Sequence, residues 1–310
     1  MRHLLSLTDL GPEGLARLVQ DSICFAGGER EDSRILNGKV VGLYFKGSST
    51  RTRTAFTVGA QRLGALTISY GPQDLQLATG ESFRDTGRVL SGFLDALVVR
   101  TNATIETMRA LAGQDQMAVI NAMSENEHPT QAIADLATIK ESLGRFEGVH
   151  VLYVGEGNNT AAALALAVSM TKGMRLTLVT PEGYGLPSII LEVACGYARS
   201  SRAVIEEHHD IARAPKKVDA VYATRWRTMG EPKVDPDWRE KFQPYAVNKE
   251  LMARVSKSFG TIFMHDLPAV RGEDVTDEVL DGPQSRAFRQ AQHKMTSAMA
   301  VLCWSLGSAT

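Results

Sequence analysis

Short apolar runs alternate with amphipathic stretches along most of this chain. Residues 39–45, KVVGLYF, are rich in β-branched and aromatic side chains, the pattern of a buried strand. Residues 54–64 place apolar side chains at helical spacing and end in glycine, which predicts a helix. The same alternation predicts further strands at 66–70, 96–100, 117–121, 149–154, 175–180, 203–207, 218–224 and 260–265, and helices at 83–93, 105–112, 129–143, 160–170, 187–198 and 284–306.

This order of elements indicates an α/β fold, with two doubly wound parallel-sheet domains joined by long helices. We place the first domain at residues 1–138 and the second at 139–283, and expect the helix in 284–310 to pack back on the first domain. Residues 225–248 are polar and rich in Pro and Gly, which predicts a long loop.

Composition narrows the classes of function. With 44% apolar and 22% charged residues, the 310-residue chain is long enough for two packed cores. A net charge of −1 provides no basic excess for nucleic acid or a membrane surface, so neither partner is expected. Cys24, Cys195 and Cys303 have no paired spacing, so we expect reduced core thiols, no metal site and a cytoplasmic location.

Polar residues recur where predicted strands end. Ligands of parallel α/β sheets bind beyond the carboxyl ends of the strands. At or soon after such ends stand residues 49–53, Arg100, His128, Asn158, Asn159, residues 224–228, His265 and Asp266. Each has a structural alternative: an arginine can be an edge charge, and a histidine can cap a helix. Their repetition at one kind of position predicts a shared site.

Residues 48–53, SSTRTR, lead from the first strand into its helix. A helix N-terminus attracts anions through its free N–H groups and its dipole. Two guanidinium groups add forked donors that match phosphate geometry. The pattern predicts a phosphate cradle, and the alternative is an ordinary helix start with solvated arginines.

Several strings resemble motifs of the aspartate/ornithine carbamoyltransferase family. They are FKGSSTRTR at 45–53, HPTQ at 128–131, HDLP at 265–268, and ESFRDT at 81–86 followed by Arg88. RHLLSLTD at 2–9 and VGEGNN at 154–159 are closer to the ornithine-type branch. The resemblance covers nearly the whole chain. It implies transfer of a carbamoyl group from carbamoyl phosphate to an amino acid amine, with no cofactor, by a homotrimer or a multiple of trimers.

The resemblance also implies roles for individual residues. The carbamoyl-phosphate residues would be Ser49, Thr50, Arg51, Thr52, Arg100, His128, Gln131 and Lys294, with Gln76 from a neighbouring copy. Thr52, Arg100 and His128 would donate to the carbonyl oxygen as it becomes negative, each worth about 3 kcal/mol when well placed. Gln131 would hold the carbamoyl NH2 group, and Lys294 stands where the ornithine-type branch has an arginine.

The implied amino-acid-binding residues are Asn159, Thr224, Arg225, Thr228, Met229, Asp266 and Leu267. Thr224 replaces an aspartate of ornithine-type relatives, and Asp266 replaces a cysteine. We interpret this as a carboxylate lost at one position and regained at the other. Asp266 would hold a substrate ammonium or act as a catalytic base, and the alternative is a hydrogen bond within its own loop.

The sequence leaves alternatives open for both the acceptor substrate and the activity. Ornithine or a shorter diamino acid fits best, whereas Arg225 resembles the aspartate-type branch and favours an anionic acceptor. Against aspartate, Thr79 stands where that branch has a loop lysine. A non-catalytic carbamoyl-phosphate-binding relative is another alternative. The glycines of residues 155–157 suggest a nucleotide-dependent oxidoreductase, although the third glycine of the dinucleotide motif is absent.

Overall fold

The computed structural model describes residues 1–29, 34–227 and 233–307. The chain forms two compact units, which we call unit 1 (Met1–Ala137 with Gln292–Thr310) and unit 2 (Thr138–Ala291). The divisions fall inside two helices, α5 (Pro129–Leu143) and α11 (Ala287–Ser305). Residues 284–291 lie in unit 2, and the rest of the C-terminal segment, from Gln292, lies in unit 1.

Unit 1 contains a parallel sheet in the order β2-β1-β3-β4 within its described residues. Its elements are α1 (Gly11–Ala26), β1 (Val40–Phe45), α2 (Thr50–Arg62), β2 (Leu66–Tyr70), α3 (Phe83–Leu90), β3 (Ala96–Arg100), α4 (Ile105–Leu111), β4 (Ala118–Met123) and the start of α5. Every residue of β3 and β4 is buried, as expected of parallel strands covered on both faces. Phe45 pairs with Arg100, so β1 and β3 end side by side.

Unit 2 contains a parallel sheet in the order β7-β6-β5-β8-β9 within its described residues. Its elements are β5 (His150–Val154), α6 (Asn159–Met170), β6 (Arg175–Val179), α7 (Ser188–Ser201), β7 (Val204–His208), β8 (Ala220–Ala223), α8 (Trp238–Phe242), α9 (Lys249–Val255), β9 (Ile262–His265) and α10 (Asp277–Leu280). All residues of α6 are buried, which explains why its sequence shows no polar face.

In both sheets the strand order reverses at one place. It reverses between β1 and β3 in unit 1, and between β5 and β8 in unit 2. Such a switch point opens a crevice at the carboxyl ends of the two strands, where ligands of doubly wound sheets bind. The fold thus marks one candidate ligand position in each unit.

The structure differs from the sequence interpretation in three ways. The predicted loop at 225–248 contains α8, because Trp238 and Phe242 pack into a cluster with Trp226. The short helices α9 and α10 were missed. Cys195 is exposed rather than part of a core, although all three cysteines are free as expected. Among the described residues, no helix has both the length and the apolar composition needed to cross a membrane.

Candidate active site

The switch point of unit 1 joins the end of β1 to the start of α2. Ser49 is the N-cap of α2, and its side chain makes no capping hydrogen bond to the first turn. Thr50 and Arg51 open the helix, Thr50 exposed and Arg51 half-buried. The first-turn N–H groups and the positive end of the helix dipole are therefore directed at the site rather than at a cap.

The two arginines of this segment differ in their surroundings. The guanidinium of Arg53 lies over the ring of Phe45, with its carbon 5.2 Å from the ring centroid. Its Nε is buried without a hydrogen-bond partner. A guanidinium stacked on a ring is held in place by the ring face. Arg51 therefore remains the better candidate for a forked contact to phosphate.

Thr52, Arg100 and His128 come together at the same sheet edge. Nη1 of Arg100 lies 3.1 Å from Oγ1 of Thr52 and 3.5 Å from Nε2 of His128. All three side chains are buried. Because a guanidinium can only donate, Oγ1 and Nε2 both act as acceptors here.

His128 is neutral in this environment. Burial, and then the positive charges of Arg100 and Lys294, hold the pKa of His128 well below its ordinary range. With Nε2 accepting from Arg100, the ring proton of a neutral imidazole belongs on Nδ1. Nδ1 is buried without a hydrogen-bond partner among the described residues. His128 thus offers a donor for a ligand oxygen.

Gln131 is fixed by its neighbours on α5 and α11. Its Nε2 donates to Oδ1 of Asp135 at 2.7 Å, and its Oε1 accepts from Nζ of Lys294. Gln131 and Asp135 are almost fully buried. The amide orientation is therefore set, with its oxygen directed at the ammonium.

The switch point of unit 2 is built around the N-terminus of α6. Oδ1 of Asn158 accepts from the N–H groups of Thr160 at 3.0 Å and Ala161 at 3.2 Å, which makes Asn158 the N-cap. Its Nδ2 donates to Oγ1 of Thr224 at 3.4 Å, just beyond the end of β8. Asn159, the next residue, is buried at the first position of the helix.

Asp266 lies between two threonine hydroxyls. Thr224 donates to its Oδ1 at 3.2 Å, and Thr160 donates to its Oδ2 at 3.1 Å. Both threonines are buried, whereas the Asp266 side chain is 17% exposed. Two buried donors hold the carboxylate at the carboxyl ends of β8 and β9, and its exposed part remains open to a ligand.

Hydrogen bonds of the neighbouring His265 hold the backbone around Asp266 in place. Nε2 of His265 lies 2.7 Å from the buried carboxylate of Asp274, and Nδ1 of His265 accepts from the N–H of Leu267 at 2.8 Å. Leu267 has a φ of 54°, in the left-handed region. The backbone around Asp266 is therefore fixed by hydrogen bonds that do not involve its own carboxylate.

Comparison with known proteins finds two family models that match this chain. The family model described as "Aspartate/ornithine carbamoyltransferase, carbamoyl-P binding domain" matches residues 2–141, and the model of the Asp/Orn binding domain matches residues 147–305. The chain belongs to this carbamoyltransferase family.

Proteins similar to this chain include ornithine carbamoyltransferases. The ornithine carbamoyltransferase of Oceanobacillus iheyensis is 38% identical over 97% of this chain and 93% of the relative. That of Methanothermobacter thermautotrophicus is 38% identical over 99% of both chains. The solved structure of the Pyrococcus furiosus ornithine carbamoyltransferase superposes with a TM-score of 0.92 at 36% identity, covering 100% of this chain and 98% of the other. The resemblance stated from the motifs is confirmed, and so are the two-domain α/β fold and the assignment as an enzyme.

The structure brings together part of the predicted carbamoyltransferase site. In unit 1 it joins Thr52 to Arg100 and His128, and Gln131 to Lys294. Gln76 is exposed in a 3-10 helix (Gln76–Thr79), where its Oε1 accepts from Thr79 at 2.7 Å.

In unit 2 the structure places Thr224 in hydrogen-bond contact with Asp266. Arg225 is half-buried, and the N–H of Leu267 donates to His265. Thr228 and Met229, also predicted to bind the amino acid, lie outside the described residues.

The sequence interpretation missed two contributors to the site, Asp135 and Thr160. Asp135 orients Gln131 from one helical turn away, a spacing that could have drawn attention to it. Asn158, which the sequence places with Asn159 after a predicted strand end, donates to Thr224. Thr160 donates to Asp266. The contact of Thr160 with Asp266 depends on the long-range arrangement of α6 and β9.

The glycines at 155–157 have a packing role. A Cβ on Gly157 would lie 2.4 Å from the backbone carbonyl carbon of Gly185, and a Cβ on Gly155 would lie 2.9 Å from the Thr224 side chain. Gly155 also has a φ of +134°. Close backbone approach therefore accounts for these glycines without a dinucleotide. In the part of the chain that the structure describes, no group of three or more His, Cys, Asp or Glu side chains is arranged to hold a metal ion.

Proposed function

We propose that this carbamoyltransferase moves the carbamoyl group of carbamoyl phosphate to the primary amine of ornithine or a close, shorter diamino acid. In the proposed reaction the amine nitrogen attacks the carbonyl carbon, and the new C–N bond replaces the C–O bond to phosphate. The products are a ureido amino acid, phosphate and the proton released by the amine. The relatives named above as ornithine carbamoyltransferases support an amino acid acceptor.

The donors of unit 1 suit the charge that develops in this reaction. Attack on the carbonyl places negative charge on its oxygen, and preorganised donors stabilise such an oxyanion by about 3 kcal/mol each. Thr52 accepts from Arg100 and still has its own hydroxyl hydrogen to donate. His128 offers its Nδ1 hydrogen as a neutral ring, and Gln131 would bind the carbamoyl NH2 group. Ser49, Thr50 and Arg51 would hold the phosphate, and Lys294 would add charge beside Gln131.

The observation that carries the acceptor proposal is the carboxylate of Asp266, held by the hydroxyls of Thr224 and Thr160. A fixed, partly exposed carboxylate is a natural partner for a substrate ammonium. We assign it to the non-reacting α-ammonium, since pairing with the reacting amine would raise the pKa of that amine and oppose attack. Asn159, Thr228, Met229 and Leu267 would bind the rest of the amino acid.

The test is a carbamoyl-phosphate-dependent assay of ureido product with ornithine, 2,4-diaminobutyrate, 2,3-diaminopropionate, aspartate and putrescine. We expect product with at least one diamino acid and none with aspartate. Product with aspartate alone would replace this proposal by the anionic acceptor that Arg225 favours. Carbamoyl-phosphate binding without any product would make the protein a non-catalytic relative.

Asp266→Asn tests the assignment of the carboxylate. The amide keeps the size of the side chain and one acceptor for the threonine hydroxyls, but it loses the negative charge. We expect the catalytic efficiency toward the diamino acid to fall about a hundredfold, because a charged hydrogen bond in the site is lost. Asp115→Asn, at an exposed turn of unit 1, serves as a control. Equal activity of the two variants would contradict the assignment.

We also propose that the chain assembles with copies of itself, as the homotrimer that the family resemblance implies. Edge strand β2 exposes Leu66 and Ile68, and Phe93 beyond α3 is 73% exposed. Apolar side chains on an open sheet edge favour association. Sedimentation of the wild type and of Leu66→Ser tests this, and a monomeric wild type would refute it. Gln76 of a neighbouring copy and a cytoplasmic location remain predictions.

A further inference from the structure

Lys233 is buried in a cluster of aromatic rings beside an acidic partner. Its Nζ lies 2.5 Å from Oε1 of Glu156, and its side chain is only 6% exposed. The same Nζ lies 4.5 Å from the ring centroid of Tyr184 and 4.6 Å from that of Phe242. Lysines usually extend their charged ends into water. Removing this ammonium from water is costly unless it is paired, and here both a carboxylate and ring faces pair with it.

Lys233 shares an aromatic ring with Trp226. Trp226 packs on Phe242, with ring centroids 5.9 Å apart, and Lys233 lies over the same Phe242 ring. The ammonium of Lys233 is therefore held against the aromatic cluster of unit 2.

The acidic partner connects Lys233 to the other half of the acceptor site. Glu156 belongs to the turn between β5 and α6, two residues before Asn158. Asn158 caps α6 and donates to Thr224. The Lys233–Glu156 ion pair thus links the aromatic cluster to the turn whose Asn158 contacts Thr224.

We propose that Lys233 is a positioning residue that sets the geometry of the acceptor site through Glu156, an inference that rests on the proposed function. An apolar side chain of similar length would fill the space among the rings, but it would not be directed at the turn. The alternative is an ion pair that stabilises unit 2 without affecting the acceptor.

The decisive comparison is between Lys233→Met and Lys233→Arg. We expect Lys233→Met to lower the catalytic efficiency toward the diamino acid about a hundredfold, chiefly through the KM of the diamino acid, because small misplacements in a site are costly. The KM of carbamoyl phosphate should change less than about twofold. Lys233→Arg keeps the charge and should recover most of the loss. Lys172→Met, at an exposed ion pair with Glu147 in the same unit, is the matched control.

A double variant separates lost positioning from a change in local charge. Glu156→Gln combined with Lys233→Met also removes the carboxylate charge that Lys233 no longer offsets in the single variant. If Lys233 positions the site, the raised KM of the diamino acid persists in the double variant. Recovery of the wild-type KM in the double variant would overturn the proposal, and so would an unchanged KM in Lys233→Met.

Stability and activity of the wild type complete the test. A lower thermal unfolding midpoint in Lys233→Met with unchanged KM values would leave a purely structural ion pair and overturn the proposal. A wild type that makes no ureido product from any diamino acid would instead refute the proposed function, and the role of Lys233 with it. The two failures are therefore distinguishable.

Discussion

Replacing Glu127 by glutamine is expected to reduce the loss of stability that unit 1 undergoes as the pH rises. Glu127 immediately precedes His128 and is buried, and its Oε1 accepts from the N–H of Leu7 at 2.7 Å. Burial raises the pKa of Glu127 to about 7, against the opposing effect of the hydrogen bond from Leu7. The glutamine keeps an acceptor for Leu7 but cannot ionise.

The raised pKa fixes the sign and size of the effect. Below pH 4.5 the carboxyl is protonated in both the folded and the unfolded chain, so it adds no pH dependence. Between 4.5 and about 7 the unfolded carboxyl ionises while the folded one keeps its proton, so the free energy of unfolding falls with rising pH. Each pKa unit corresponds to about 1.4 kcal/mol, which makes the full loss about 3 kcal/mol above neutral pH.

Urea unfolding at about pH 5 and about pH 8 measures this difference. The quantity of interest is the free energy of unfolding of Glu127→Gln minus that of the wild type. This difference is expected to increase by up to about 3 kcal/mol from the lower to the higher pH. Glu125→Gln, two residues away at an exposed position, is the matched control and should follow the wild type. If Glu127→Gln also followed the wild type at both pH values, the carboxyl would ionise without cost and the reasoning would be refuted.

Two further changes test the substrate site of unit 1 and the packing of unit 2. Arg51→Ala is expected to reduce turnover about a hundredfold or more and to weaken carbamoyl-phosphate binding, since it removes a charged donor at the start of α2. Steady-state kinetics that show neither loss would contradict the proposed phosphate cradle. Gly157→Ala is expected to destabilise unit 2 by about 2 kcal/mol, because the new Cβ would lie 2.4 Å from the backbone of Gly185. An unchanged unfolding midpoint would contradict the close-packing role of this glycine.

The sequence was most informative where a short string carries both the fold and the chemistry. Residues 48–53 predicted a strand-to-helix turn with an anion site, and the structure has β1 and α2 on either side of it. Local apolar periodicity also predicted all nine strands of the described residues to within about two residues at either end. Such signals are local, so one sequence is sufficient to read them.

The sequence was least informative where contacts join distant segments. Trp226, Trp238 and Phe242 were read as parts of a polar loop, because three aromatic residues among Pro, Gly and charged residues have no helical period. Thr160 has no functional signal in its local sequence, since its contact with Asp266 spans 106 positions of the chain. Neither contact has a local signature, and only the folded chain brings the residues together.

The exchange of residues that we propose at the ends of β8 and β9 has a simple geometric consequence for the acceptor. Ala223 and His265 are paired in the sheet, so the residues that follow them, Thr224 and Asp266, lie side by side. Parallel strands are about 4.8 Å apart, so moving a carboxylate from one strand end to the next shifts it by about that distance. Thr224 then donates to Asp266 instead of supplying a charge of its own. In this proposal the acceptor site still pairs with an ammonium, at a position shifted by about one strand spacing. The proposed site therefore favours ornithine or a shorter diamino acid over an acceptor without a second amine.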